Sequence, residues 1–150
     1  MQEKSAFSAR ATIPEVGSLN VGDIEAWLER YRRAWEDGDA DAAAALFTED
    51  AVYRSSPFRE PHAGQDRIRE YGRDATGTQS ETRVLIGRPV VDGDRVAVEW
   101  WATYTDADEG EGTLPGILML RFAPDGRCAE LRETWKWEAG RRDPDPRWGA

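Results

Sequence analysis

The sequence predicts an α+β fold in which helices come first and an antiparallel sheet follows. In the first half, apolar residues recur at the three-to-four spacing of a helix, and in the second half they alternate with polar residues. The alternating segments are joined by short connections, which link antiparallel neighbours. These three observations together indicate helices packed on one curled sheet.

The first helix is predicted from Val21 to Asp37, because residues such as Ile24 and Tyr31 form one apolar stripe. Asn20 is suited to cap its start, since its side-chain oxygen can accept a hydrogen bond from a free amide. Gly38 is suited to end it in the left-handed conformation that other residues avoid.

Two shorter helices are predicted next. Asp39 is expected to cap a helix over Ala40–Phe47, whose alanines allow close packing against the first helix. A third helix is expected to begin near Gly64 and to carry Ile68 and Tyr71 on one side.

Four strands are predicted in the second half, at Thr82–Val91, Arg95–Thr105, Thr113–Phe122 and Cys128–Trp137. The turn Asp92-Gly93-Asp94 joins the first two and is a strong hairpin signal. We therefore expect a meander. The domain prediction is an N-terminal arm over residues 1–17, one folded domain over 18–138 and a C-terminal arm over 139–150.

The net charge and composition of the chain argue against some classes of binding partner and indicate a cellular compartment. The net charge of −9 would repel a phosphate backbone, which argues against nucleic acid. No apolar run approaches the roughly 20 residues of a membrane span, and the start has no signal-peptide core. A single cysteine, Cys128, is typical of a reducing compartment. We expect a cytoplasmic protein.

The last predicted strand places one carboxylate among large apolar groups. Leu131, Glu133, Trp135 and Trp137 share a face, because side chains alternate along a strand. Burial disfavours a charged carboxylate, so the pKa of Glu133 is expected to rise toward neutrality, where proton transfer is useful. The alternative is a structural glutamate that holds the sheet to the helices through a hydrogen bond to Tyr31, Tyr53 or a Trp N–H.

The opposite face of the sheet presents three apolar residues that the helices cannot cover: Trp101, Ile117 and Met119. A homodimer through this face is the favoured interpretation. Cover by the terminal arms is the alternative.

Several strings of the chain resemble the nuclear transport factor 2-like superfamily, specifically its SnoaL-like, polyketide cyclase-like branch. The strings lie within about Val21 to Trp137, at residues 30–39, 46–53, 64–68 and 125–135. The resemblance implies a cone-shaped α+β barrel with a pocket between sheet and helices. It does not fix the chemistry, since one fold hosts many functions.

The resemblance also suggests roles for individual residues. In the ketosteroid isomerases of this superfamily a tyrosine at the place of Tyr31 donates to an oxyanion, but their base aspartate corresponds to Ser55, which is a weak base. In the epoxide hydrolases Tyr53, Ser55 and Glu133 correspond to catalytic positions, whereas Trp100 and Ala102 replace an arginine and an aspartate. In the polyketide cyclases the one required acid corresponds to Glu133.

His62, the only histidine, is a further candidate for proton transfer, or else a solvated loop residue. Tyr31 and Tyr53 are either ligand donors or ordinary core rings. The sequence contains no set of residues at zinc-ligand spacing and no phosphate-binding loop, so we expect no metal and no cofactor. The predicted pocket wall consists of Trp35, Ile68, Tyr71, Val98, Trp100, Ala102, Leu114, Leu118, Leu131, Trp135 and Trp137.

The favoured function is binding of a small hydrophobic molecule, with cofactor-free isomerase- or cyclase-like proton transfer by Glu133. The first alternative is a binding or accessory protein of the same fold without turnover. The second is epoxide-hydrolase-like addition of water.

Overall fold

The computed structural model of the chain describes residues 19–150, so the predicted arm at 1–17 lies outside the described residues. The helices are α1 (Val21–Asp37), α2 (Ala40–Ala44) and α3 (Gln65–Thr76). The strands are β1 (Phe47–Arg54), β2 (His62–Ala63), β3 (Gln79–Ile86), β4 (Val90–Asp92), β5 (Arg95–Asp106), β6 (Gly110–Phe122), β7 (Cys128–Trp135) and β8 (Glu138–Ala139).

Helix α1 has the predicted bounds and the predicted caps. The Asn20 side chain accepts a hydrogen bond from the Asp23 amide at 2.9 Å, and the Asp23 carboxylate accepts one from the Asn20 amide in return. Gly38 ends the helix with a φ of 63°, a left-handed conformation that favours glycine. Near this end the Glu36 carboxylate accepts a hydrogen bond from the Val84 amide at 2.8 Å, and this bond joins the helix to β3.

Helix α2 is shorter than predicted. Asp39 caps it as expected, but the helix ends at Ala44, and Phe47 already belongs to β1. Strand β1 pairs in parallel with β7, with Phe47 opposite Cys128. One partner of β1 therefore comes from a distant part of the chain, and a local pattern of apolar residues does not reveal it.

The four predicted strands and their antiparallel pairing are confirmed, with two changes. The last strand ends at Trp135, two residues earlier than predicted. The first of the four is two strands, β3 and β4, separated by Gly87-Arg88-Pro89, and both pair with β5. The main path of the sheet runs β2-β1-β7-β6-β5-β3. The sheet curls under the helices but does not close. The α+β prediction is therefore confirmed, and the predicted barrel is an open one.

Strand β5 turns one face toward the core. Val96, Val98, Trp100, Ala102 and Tyr104 are all buried, and they join the core residues of α1 and β6. The alternation of the sequence therefore fixes which side of the sheet carries the core.

The outer face of the sheet is partly covered by the C-terminal residues. Trp101 donates its indole N–H to the Arg142 carbonyl at 2.8 Å, and its ring lies 6.0 Å from that of Trp148. Ile117 and Met119 stay 46% and 37% exposed. The homodimer through this face remains a prediction. Among residues 19–150, no helix has the length and apolar character needed to cross a bilayer.

Candidate active site

A cavity of about 570 Å³ lies between the helices and the curled sheet. Its volume falls within the roughly 300–1,000 Å³ typical of small-molecule sites. Helices α1, α2 and α3 form one wall, and strands β5, β6 and β7 contribute to the other. The predicted wall residues that do line it are Trp35, Ile68, Tyr71, Trp100, Leu114, Trp135 and Trp137.

Four predicted wall residues do not line the cavity: Val98, Ala102, Leu118 and Leu131. Each is at most 3% exposed and belongs to the closed hydrophobic core. They lie on the correct face of the sheet, but strand periodicity gives the face and not the position along the strand at which the core ends and the cavity begins.

Two glycines of β6 make room for aromatic wall residues. The indole of Trp100 lies over Gly116, where an added Cβ would overlap Trp100 Cζ2 and the Thr134 carbonyl. The indole of Trp137 lies over Gly112 in the same way. These close approaches, which the sequence does not reveal, set the position of two rings that line the cavity.

Glu133 is the central polar group of the cavity, and each of its carboxylate oxygens accepts a tyrosine hydroxyl. Tyr53 donates to Oε2 at 2.9 Å, and Tyr71 donates to Oε1 at 3.2 Å. The Tyr53 hydroxyl lies 3.3 Å from that of Tyr31, so three tyrosines and one carboxyl form a continuous chain of hydrogen bonds. All four residues line the cavity.

This network joins the first helix, the third helix and two strands. Tyr31 comes from α1, Tyr71 from α3, Tyr53 from β1 and Glu133 from β7. The parallel pairing of β1 with β7 places Tyr53 opposite Leu131, two residues before Glu133. Sequence analysis assigned Tyr71 to the wall but missed its bond to the carboxylate; the signal was its place on the α3 stripe beside Ile68.

Burial dominates the electrostatics of Glu133. Desolvation raises the pKa of its carboxyl from 4.5 to about 7, although the hydroxyls of Tyr53 and Tyr71 oppose the rise by stabilising the anion. Burial and the neighbouring Glu133 charge also raise the pKa of Tyr31, Tyr53 and Tyr71, so all three hydroxyls keep their protons at neutral pH. Glu133 is therefore the group of this cluster that titrates near neutrality.

The Glu133 carboxylate retains unused acceptor capacity. A carboxylate offers about four lone-pair sites, and the two tyrosine bonds occupy two of them. The remaining sites are free for a proton or for a hydrogen bond to a guest. A single carboxyl in this setting is suited to taking a proton from one atom of a bound molecule and returning it to another.

Ser55 and His62 do not line the cavity. His62 lies behind Tyr71, with ring centroids 4.3 Å apart and nearly parallel planes, and its Nε2 is 3.4 Å from the Ser55 hydroxyl. Burial and the nearby Arg67 lower the pKa of His62, so the ring is neutral at pH 7. The two residues contact Tyr71 from outside the cavity, and their proposed catalytic roles stay predictions.

Trp100 has a polar atom that the protein leaves unsatisfied. Its indole N–H is buried and has no hydrogen-bond partner within residues 19–150, although the ring lines the cavity. An unmade bond of this kind costs about 1–3 kcal/mol. Among the same residues, no group of three His, Cys, Asp or Glu side chains is arranged to hold a metal ion.

The fold and the site define a pocket protein of the nuclear transport factor 2-like class. The sequence matches the SnoaL-like domain family over residues 28–131, and the chain belongs to that family. Comparison with curated proteins finds no match.

Two solved structures show the same fold. One is SalBIII, an epoxide hydrolase/cyclase-like enzyme of pyran ring formation in the polyether salinomycin; it is 24% identical, covers 75% of this chain and 89% of its own, and has a TM-score of 0.65. The other is a hypothetical protein with a ketosteroid isomerase-like fold from Catenulispora acidiphila DSM 44928, in complex with trimethylamine. It is 16% identical over 72% of this chain and 83% of its own, with a TM-score of 0.65.

Proposed function

We propose that the protein binds a small, largely apolar molecule in the aromatic cavity and moves a proton on it with Glu133, without a cofactor. The observation that carries the proposal is the Glu133 carboxyl, which lies in the cavity and accepts hydrogen bonds from two tyrosine hydroxyls. Its pKa of about 7 lets it accept and release a proton at neutral pH with little free-energy cost.

The simplest reaction is removal of a proton from a carbon next to a carbonyl. The Glu133 carboxylate takes the proton, the C–H bonding electrons move toward the carbonyl, and the carbonyl oxygen gains the negative charge. The hydroxyls of Tyr53 and Tyr71 are the donors beside the carboxyl, and one of them can turn to that oxygen once Glu133 is neutral. Return of the proton to another carbon completes an isomerisation, with no net gain or loss of atoms.

Water addition to an epoxide has less support. Such a reaction needs a group that activates water and an acid that protonates the opening ring. Ala102 supplies neither and is fully buried, and Trp100 offers only an indole N–H. The fold shared with an epoxide hydrolase/cyclase-like enzyme is compatible with cyclisation, in which one carboxyl deprotonates an attacking hydroxyl.

Hydrogen–deuterium exchange into 2-tetralone, a bicyclic enolisable ketone, tests the proposal without knowledge of the natural substrate. We expect the wild-type protein in D₂O to accelerate exchange next to the carbonyl about 10²–10⁴-fold over its Glu133→Gln variant, as judged by ¹H NMR. Glu99→Gln, an exposed change on the outer face of β5, serves as the matched control and should exchange like wild type.

The outcomes separate the two classes of function. Equal exchange by wild type and Glu133→Gln would remove the carboxyl from the chemistry. Binding of 2-tetralone, seen as a change in tryptophan fluorescence, without any acceleration would instead favour a binding protein in which the Tyr–Glu network is structural.

A further inference from the structure

The cavity is lined by acidic side chains and by no basic one. Besides Glu133, five carboxylates contribute to its lining within the described part of the chain: Asp39, Asp74, Asp106, Asp108 and Glu109. No Lys, Arg or His of residues 19–150 lines it. Asp39, Asp74, Asp108 and Glu109 are exposed and so mark the solvent end of the cavity, whereas Tyr31 and Tyr53 of the Tyr–Glu network are buried and Tyr71 and Glu133 are half-buried.

None of these carboxylates is neutralised by an ion pair with another described residue. The arginines of α3 that lie near this end of the fold, Arg69 and Arg73, pair with Asp41, which does not line the cavity. A cleft with one sign of charge and low-dielectric walls concentrates the field, so the open end attracts cations and repels anions.

Part of the acidic rim is held in place by hydrogen bonds. Asp106 accepts the Thr78 hydroxyl at 2.8 Å and the Asp108 amide at 2.9 Å. These bonds also lower the pKa of Asp106, so its charge persists at neutral pH. These bonds fix the part of the acidic lining that lies at the end of β5.

Two further features of the same cavity indicate a guest that is both apolar and charged. Aromatic rings of Trp35, Tyr104, Trp135 and Trp137 line it, and tryptophan faces attract ammonium groups. Deeper in, the buried ring of Trp100 extends the apolar wall. Because no group of three potential ligands among residues 19–150 is arranged for a metal ion, the charge points to an organic cation.

We infer that the natural ligand is an amphipathic amine, whose apolar body lies along the aromatic walls toward Glu133 and whose ammonium group lies at the acidic mouth. This inference rests on the proposed function, because it names the class of molecule that the same cavity binds.

Three probes with the same naphthalene body and a cationic, a neutral or an anionic head group test the inference: 2-naphthylmethyltrimethylammonium, 2-naphthalenemethanol and 2-naphthoate. By isothermal titration calorimetry at low salt, we expect the cation to bind about 10-fold more tightly than the alcohol, and the carboxylate to bind more weakly than either. The preference for the cation should shrink at high salt, because the rim carboxylates are exposed.

A matched pair of triple variants separates the rim from the net charge. The rim variant combines Asp74→Asn, Asp108→Asn and Glu109→Gln, which spares the helix cap Asp39 and the hydrogen-bonded Asp106. The control combines Glu25→Gln, Glu60→Gln and Asp92→Asn, which removes three exposed charges that do not line the cavity. We expect the cation-to-alcohol preference to fall about fivefold in the rim variant and to persist in the control.

Each outcome bears on a definite claim. Equal affinity for the cation and the alcohol would overturn the amine inference and leave the proposed cavity function standing. Equal losses in the two triple variants would also overturn it, because net charge alone would then explain the preference. Failure of all three probes to bind would contradict the proposed function as well.

Discussion

As the pH rises from 4.5 to 8, the unfolding free energy of the wild-type protein is expected to fall by about 3 kcal/mol more than that of its Glu133→Gln variant. The Glu133 pKa rises from 4.5 to about 7 on folding, and a shift of that size corresponds to about 3 kcal/mol. Between these two values the folded chain holds a proton that the unfolded chain has released. Stability therefore falls as the pH rises through this window and levels off above it.

The difference between wild type and variant isolates this effect. His62, whose pKa is lowered, contributes in the opposite direction on the acidic side of 6.5, but it does so in both proteins. Replacement by Gln deprives one tyrosine hydroxyl of its acceptor, which shifts the whole stability curve without changing its slope. Urea unfolding at several pH values measures the slope. Parallel curves for the two proteins would show that burial does not raise the Glu133 pKa.

Replacing Trp27 with alanine is expected to lower the unfolding free energy by about 3–5 kcal/mol, because it removes a large and fully buried ring. The Trp27 ring stacks on Tyr31 at 5.3 Å and meets Phe47 and Phe122 edge-on. Its N–H donates to the Leu46 carbonyl at 2.9 Å, which fixes α1 to the start of β1. The Leu46 carbonyl also accepts a hydrogen bond from the Cys128 amide, so it keeps one partner in the variant. The lost free energy therefore comes mainly from the cavity that the missing ring leaves.

Trp135→Ala provides the matched comparison for Trp27→Ala. Trp135 is 49% exposed, so its removal should cost no more than about 1 kcal/mol. The measurement is urea unfolding of both variants at one pH. Similar losses in the two proteins would contradict the assignment of Trp27 as the residue on which α1 is packed.

Local periodicity was sufficient for most of the fold. The stripe through Ile24 and Tyr31 predicted α1 with its bounds, and alternation predicted the antiparallel pairing of β5, β6 and β7. It failed at the end of α2, because the apolar and small residues up to Phe47 suit a helix, whereas the helix ends at Ala44 and Phe47 begins β1. The parallel pairing of β1 with β7 is a contact between distant parts of the chain, which no local period encodes.

The sequence predicted which side of the sheet carries the site, but not how far along the strands the cavity extends. Alternation placed Glu133 on the inward side of β7, and the structure brings Tyr31 and Tyr53 to it. The same alternation put Leu131 in the cavity wall, whereas the core encloses it completely. Whether a residue on the inward face meets the core or the cavity depends on how the helices lie across the sheet, and that arrangement results from tertiary packing.

The ionisation of Glu133 in solution is the most direct test of the chemistry proposed for the cavity. With ¹³C label in the glutamate carboxyl groups, NMR titration should show one resonance, absent in Glu133→Gln, with a midpoint near pH 7. A glutamate carboxyl in a solvated model peptide titrates in the ordinary range near 4.3. A Glu133 midpoint in that ordinary range would mean that the carboxylate is solvated and charged at neutral pH, and the proton-transfer function would be wrong.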